Sequence, residues 1–123
     1  MIHKQYAILH MSNNKLEYIL CAAIKRITPR QDTTMYHNND ICNIEIGYRH
    51  HDIIRRFQGE ISRNPDDQGF YTSKGRFVDR KEAMVIAMAT GQVRNTYYGR
   101  KPLMEAYNDG DLLVKDLYSQ DLY

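Results

Sequence analysis

Three consecutive residues, Arg49, His50 and His51, stand between a strand-like run and a helical pattern. An arginine offers a planar fork for two phosphate oxygens, and backbone N–H groups at a helix start favour an anion. A phosphate or pyrophosphate therefore suits this junction. The same triplet makes a poor zinc site, because adjacent histidines point in different directions and no Cys, His or carboxylate motif supplies the remaining ligands. As an acid–base pair it has no nucleophile placed beside it by any motif. A plainer role stays open, in which one histidine bonds a backbone group and packs.

Other candidate ligand-binding residues are scattered along the chain. Phe77 lies close to Arg76 and Arg80, so its ring could stack on a base while the guanidinium groups hold phosphate; the alternative is a core ring with arginines solvated or tied to nearby carboxylates. Arg26 and Arg30 bracket the start of a polar loop containing Pro29, where binding groups are often mounted and where arginines are equally often just solvated. Near the end of the chain, Ser119 and Asp121 are suited to a ligand hydroxyl or to neighbouring backbone. No residue is assigned a catalytic or metal-binding role, and no cofactor is expected.

The elements that must carry these groups are written locally. Asp79 is suited to an N-cap, Glu82 completes a capping-box pattern, and Gly91 can end a helix in the left-handed conformation, which predicts a capped helix over 79–91. Ala83, Ile86, Ala87 and Thr90 form its stripe, and Met84, Val85 and Met88 widen the apolar surface enough to need cover on a second side, as an oligomer interface would give. Lys4 to Met11 and Lys15 to Ile27 read as a hairpin turned at Ser12-Asn13-Asn14, the second run being continuously apolar like a central strand. Ile44 and Ile46 alternate with Asn43 and Glu45, a half-buried strand ending at Gly47. Ile53, Ile54 and Phe57 then recur at helical spacing among Arg49, His50, Arg55 and Arg56, a short basic helix. Thr72-Ser73-Lys74-Gly75 is a tight turn, Pro102 to Tyr107 a short helical piece, and the apolar end of the chain, with Leu117, Tyr118, Leu122 and Tyr123, should dock. The fold class is α+β, an antiparallel sheet with helices packed on one side.

A length of 123 residues supports one domain spanning 1–123. A net charge of +2 lacks the footprint of a dedicated nucleic-acid binder, so no polymeric nucleic acid is expected as partner. Cys21 and Cys42 lack metal or redox spacing and read as buried thiols. Neither a signal peptide nor an apolar run of membrane-spanning length is visible, which predicts a cytoplasmic protein without a membrane partner.

Several segments in combination are similar to one family. Ile19-Leu20-Cys21-Ala22-Ala23-Ile24, Gly47-Tyr48-Arg49-His50-His51-Asp52, the block from Gly69-Phe70-Tyr71-Thr72-Ser73-Lys74-Gly75-Arg76-Phe77-Val78-Asp79-Arg80 through Gly91-Gln92, and the closing Leu117-Tyr118-Ser119-Gln120-Asp121-Leu122-Tyr123 resemble the first Thoeris anti-defence family of phage proteins. The resemblance implies a sponge, a non-enzymatic protein that sequesters glycocyclic ADP-ribose, an immune signal of the infected bacterial cell, and related members are taken to capture cyclic di- and trinucleotides. It also implies a homodimer or higher homo-oligomer, up to a hexamer, with pockets between protomers. The extra N-terminal run and the segment from Val93 to Lys115 depart from the family pattern.

Two other functions compete with capture. In one, Arg49 holds phosphate while His50 or His51 acts as acid and base to cleave a signalling nucleotide. In the other, Arg49, Arg55, Arg56 and Arg63 form a basic face for a protein or nucleic acid.

Overall fold

The computed structural model describes residues 16–30, 40–110 and 116–122. The expected N-terminal strand and its turn at Ser12-Asn13-Asn14, along with Leu112, Leu113, Val114 and Tyr123, lie outside the described residues.

The apolar run at the heart of the sequence becomes β1 (Ile19–Lys25). It is interior, as expected, with β2 (Ile44–Gly47) on one side, and β3 (Gln68–Thr72) followed by β4 (Phe77–Asp79) on the other. Every pairing is antiparallel. Residues directly opposite each other across strands share a face. Ala22 stands opposite Gly47 and Phe70, and Phe70 opposite Val78, so these four line one side. Ala22, Phe70 and Val78 join the core with Ile53 of α1 (His50–Arg56) and with Ala83, Met84, Ile86 and Ala87 of α2 (Arg80–Thr90). Both helices therefore pack on one side of the sheet.

Both ends of α2 follow from its caps. Asp79 accepts the Glu82 N–H at 2.8 Å, while Gly91 sits at φ 74° and lets Gln92 N–H reach the Ala87 carbonyl at 2.8 Å. The Glu82 carboxylate faces Arg76, with Nη1 at 3.1 Å.

In β2 the period is the expected one, but the buried residues are not simply the isoleucines. Ile44 is buried and Ile46 is 38% exposed, while Glu45, opposite Ile24, is buried. Its carboxylate takes Arg26 on one oxygen and Arg30 on the other, which satisfies a charge that the sequence alone would place in solvent. The strand also starts later than the apolar pattern, because residues Asp40–Asn43 turn as a 3₁₀ helix. Cys42 is buried and Cys21 half-buried, and both are free thiols.

A two-stranded hairpin, β5 (Tyr97–Tyr98) with β6 (Lys101–Pro102), was not foreseen in the sequence. It leads into α3 (Leu103–Asn108), close to the expected helical piece. The end of the chain docks through Leu117, which is fully buried. Among the described residues no helix is long and apolar enough to cross a membrane.

Candidate functional site

The candidate residues do not converge on one pocket. Phe77 lies on the sheet face away from the helices, because it stands opposite Tyr71, which in turn stands opposite Cys21. A Cβ at Gly69 would stand 2.0 Å from the Val78 carbonyl oxygen and 2.8 Å from Phe77 Cζ, so glycine is what lets this ring lie close against β3. Lys25 Nζ is 5.0 Å from the ring centroid, and Phe77 borders a cleft of about 290 Å³ with Lys25, Asp40, Asn43 and Ile44.

Arg76 and Arg26 are held by carboxylates. Arg76 grips Glu17 through Nε (2.7 Å) and Nη2 (2.8 Å), while Thr72 Oγ1 donates to the same carboxylate at 2.6 Å. Burial alone would raise Glu17, yet the hydrogen bonds from Arg76 and Thr72 outweigh it and hold the carboxyl below its ordinary value. The Glu17 bonds also raise Arg76 above the usual arginine value. Arg26 pairs with Glu45 and lies 3.7 Å from Glu60.

Arg80, Ser119 and Asp121 come together at the start of α2. The Arg80 guanidinium donates to the Leu117 carbonyl at 2.8 Å and to Gln68 Oε1 at 3.0 Å, and stacks 4.5 Å from the Tyr118 ring centroid. Burial draws its pKa below the usual arginine value, opposed by Tyr118, Asp116 and Asp121. Ser119 is buried, and Asp121 Oδ2 accepts the Tyr118 N–H at 2.9 Å. The neighbouring cleft of about 270 Å³ is lined by Arg80, Lys81 and Tyr118 but also by Asp66, Asp79 and Asp116. Its acids outnumber its bases, which disfavours a pyrophosphate.

The junction of β2 and α1 suits an anion better. A cleft of about 490 Å³ has Ile46, Gly47, Tyr48 and Ile53 as apolar lining and Arg55, Arg56 and Asp52 as its charged groups. Ile46 and Tyr48 are 38% and 57% exposed, so an aromatic ring can reach them. Arg49, the N-cap residue of α1, stands beside this cleft with its guanidinium 5.2 Å from the Tyr48 ring centroid. Gly47 is small of necessity, since a Cβ there would come within 2.9 Å of Ile53 Cγ1.

His50 turns away from solvent beneath α1. Its Nε2 lies 2.6 Å from the Gly69 carbonyl oxygen and its ring meets Phe70 edge-on at 5.0 Å. Burial, reinforced by the Arg80 charge and opposed by the Gly69 bond, lowers its pKa to about 4, so at neutral pH the ring is uncharged and Nε2–H donates to Gly69. This is the plainer of the two roles read from the sequence. Among the described residues no group of three or more His, Cys, Asp or Glu side chains could hold a metal ion.

A family model described as "Phage T4 y16D protein" matches residues 18–123. The chain belongs to that phage family. No curated protein and no solved structure matches it. The y16D match begins just before β1 and takes in every strand and helix described above. It agrees with the phage origin that the resemblance implied. Of the residues lining the β2–α1 cleft, the sequence reading assigned none to a ligand: Arg55 and Arg56 entered it only as part of a basic face, and Ile46, Tyr48 and Asp52 were missed. The alternation gave Ile46 the same face as Ile44, which is buried, and gave no sign that Ile46 would stand exposed on a strand at the edge of the described sheet.

Proposed function

We propose that this phage protein is an anti-defence sponge that binds a cyclic ADP-ribose isomer, glycocyclic ADP-ribose, in the host cytoplasm and withholds it from Thoeris immunity without cleaving it. The observation that carries the reading is the β2–α1 cleft, which sets exposed Ile46 and Tyr48 beside Arg55 and Arg56 in about 490 Å³. That volume falls within the roughly 300–1,000 Å³ of small-molecule sites. An adenine face suits the apolar side and a pyrophosphate suits the arginines. The resemblance of the motifs to the first Thoeris anti-defence family supports the same ligand, and cyclic di- or trinucleotides share its chemistry of bases and bridging phosphates.

His50 does not suit the acid or base of a cleavage reaction: such a group must reach the ligand, and this ring is buried, neutral at pH 7 and bonded to Gly69. The cleavage reading then rests on His51, which is exposed, and the identity of the released nucleotide decides between cleavage and capture. A sponge needs affinity below the signal concentration, and nanomolar binding corresponds to about 12 kcal/mol. In this reading a second protomer encloses the ligand and supplies part of that energy.

The test is to mix the purified protein with glycocyclic ADP-ribose, filter away free ligand, denature the protein by heat, and identify what is released by mass spectrometry. Intact ligand in stoichiometric amount is the expected result. A cleaved product would make the protein an enzyme, and no retained nucleotide would leave a basic-face interaction protein as the better reading.

A further inference from the structure

We propose that Asp52 makes the β2–α1 cleft selective for nucleotides whose phosphates are all bridging, by repelling terminal phosphates. The inference rests on reading this cleft as a nucleotide site. Its charged lining consists of Arg55, Arg56 and Asp52. Arg55 Nη2 donates to Asp52 Oδ1 at 3.2 Å, so a carboxylate stands against the guanidinium that a phosphate in this cleft would meet. The two side chains are 69% and 43% exposed, so the pair can open to admit a ligand.

The charge on phosphorus then decides which ligand is admitted. A bridging phosphate carries one negative charge, whereas a terminal phosphate carries about −1.5 to −2 near neutral pH. A ligand with two bridging phosphates presents one charge to each arginine and tolerates the nearby carboxylate. A terminal phosphate sets nearly twice the charge against Asp52, and such a like-charge juxtaposition works as a repulsive element of specificity. For a sponge this matters, because free ATP and ADP both end in terminal phosphates and would otherwise occupy the site before any signal appeared. The cyclic and internally linked nucleotides have no such group.

The experiment measures the affinity of glycocyclic ADP-ribose by titration calorimetry, then the ability of ATP to displace it, for wild type, Asp52→Asn and Asp52→Glu. Wild type should bind the cyclic ligand and resist ATP. In Asp52→Asn the preference for the cyclic ligand over ATP should fall about three- to five-fold, the scale of one exposed charge, while Asp52→Glu keeps it. An unchanged preference in Asp52→Asn would overturn the proposal while leaving the capture reading in place. Failure of wild type to bind the cyclic ligand at all would instead remove the nucleotide reading of the cleft, and this inference with it. A thermal melt of each variant separates a selectivity change from loss of fold.

Discussion

Arg80 and Leu117 hold each other reciprocally: Leu117 N–H donates to the Arg80 carbonyl at 3.0 Å, and Arg80 Nη1 donates to the Leu117 carbonyl at 2.8 Å. The first residue of α2 thereby binds the end of the chain, with the Tyr118 ring under the guanidinium and Leu117 in the core. Arg80→Ala should cost about 1–3 kcal/mol, since a hydrogen bond to a charged donor and a buried carbonyl lose their partner. Leu117→Ala should cost about 2–5 kcal/mol through the cavity it leaves. Urea unfolding measures both, and cleavage by a protease after residue 116 should rise in step.

His50 gives the fold a pH dependence of definite sign. Its folded value of about 4 lies below the ordinary 6.5, so in the window between them the unfolded chain binds the extra proton. The stability due to the neutral ring is complete above pH 6.5 and is lost as pH falls toward 4, by about 3 kcal/mol in all. His50→Gln should flatten this slope, because an amide can still donate to Gly69 but does not titrate. Stability curves at pH 7, 6, 5 and 4.5 would show it, and equal slopes in both proteins would refute the assignment.

Glu45 holds two arginines from a buried position, so its removal leaves Arg26 and Arg30 without their shared carboxylate. Glu45→Ala should destabilise by about 3–5 kcal/mol, as breaking a buried pair does. Arg26→Ala should be milder, because Arg30 still pairs with Glu45. Neither change should weaken nucleotide capture per folded molecule, which distinguishes a structural arginine from a ligand-binding one.

What could be read from the sequence was what is determined locally. The α2 helix was visible because Asp79, Glu82 and Gly91 act on backbone within a turn of themselves, and its apolar stripe is periodic. The interior place of β1 followed from its unbroken apolar run. The burial of Glu45 could not be read, since it depends on Arg26 and Arg30, distant by 19 and 15 positions, closing on one carboxylate. The β5–β6 hairpin was missed because strands of two residues have no period to detect. Proximity in sequence also misled: Phe77 and Arg80 are three apart, but Phe77 faces away from the helices. Arg80 instead bonds Gln68, which the register opposite Ile24 turns toward them. The triplet at 49–51 marked the right junction, yet its best ligand surface is formed by residues on either side of it.

Separate placement makes the arginines of α1 and the ring of Phe77 independently testable. Replacing Arg55 and Arg56 together by alanine removes both cations from the β2–α1 cleft. Each charge-assisted bond to phosphate is worth about 1.5–3 kcal/mol, so glycocyclic ADP-ribose should bind at least 100-fold more weakly. Arg55 is strongly exposed and Arg56 is also at the surface, so the melting temperature should move little. Phe77→Ala should do the reverse, losing packing over Gly69 and lowering stability while capture by the folded protein persists. Calorimetric titration beside a thermal melt resolves the two effects. If Phe77→Ala abolished capture and the double arginine variant did not, the ligand would belong on the outer face of the sheet, in the cleft bordered by Lys25 and Asp40.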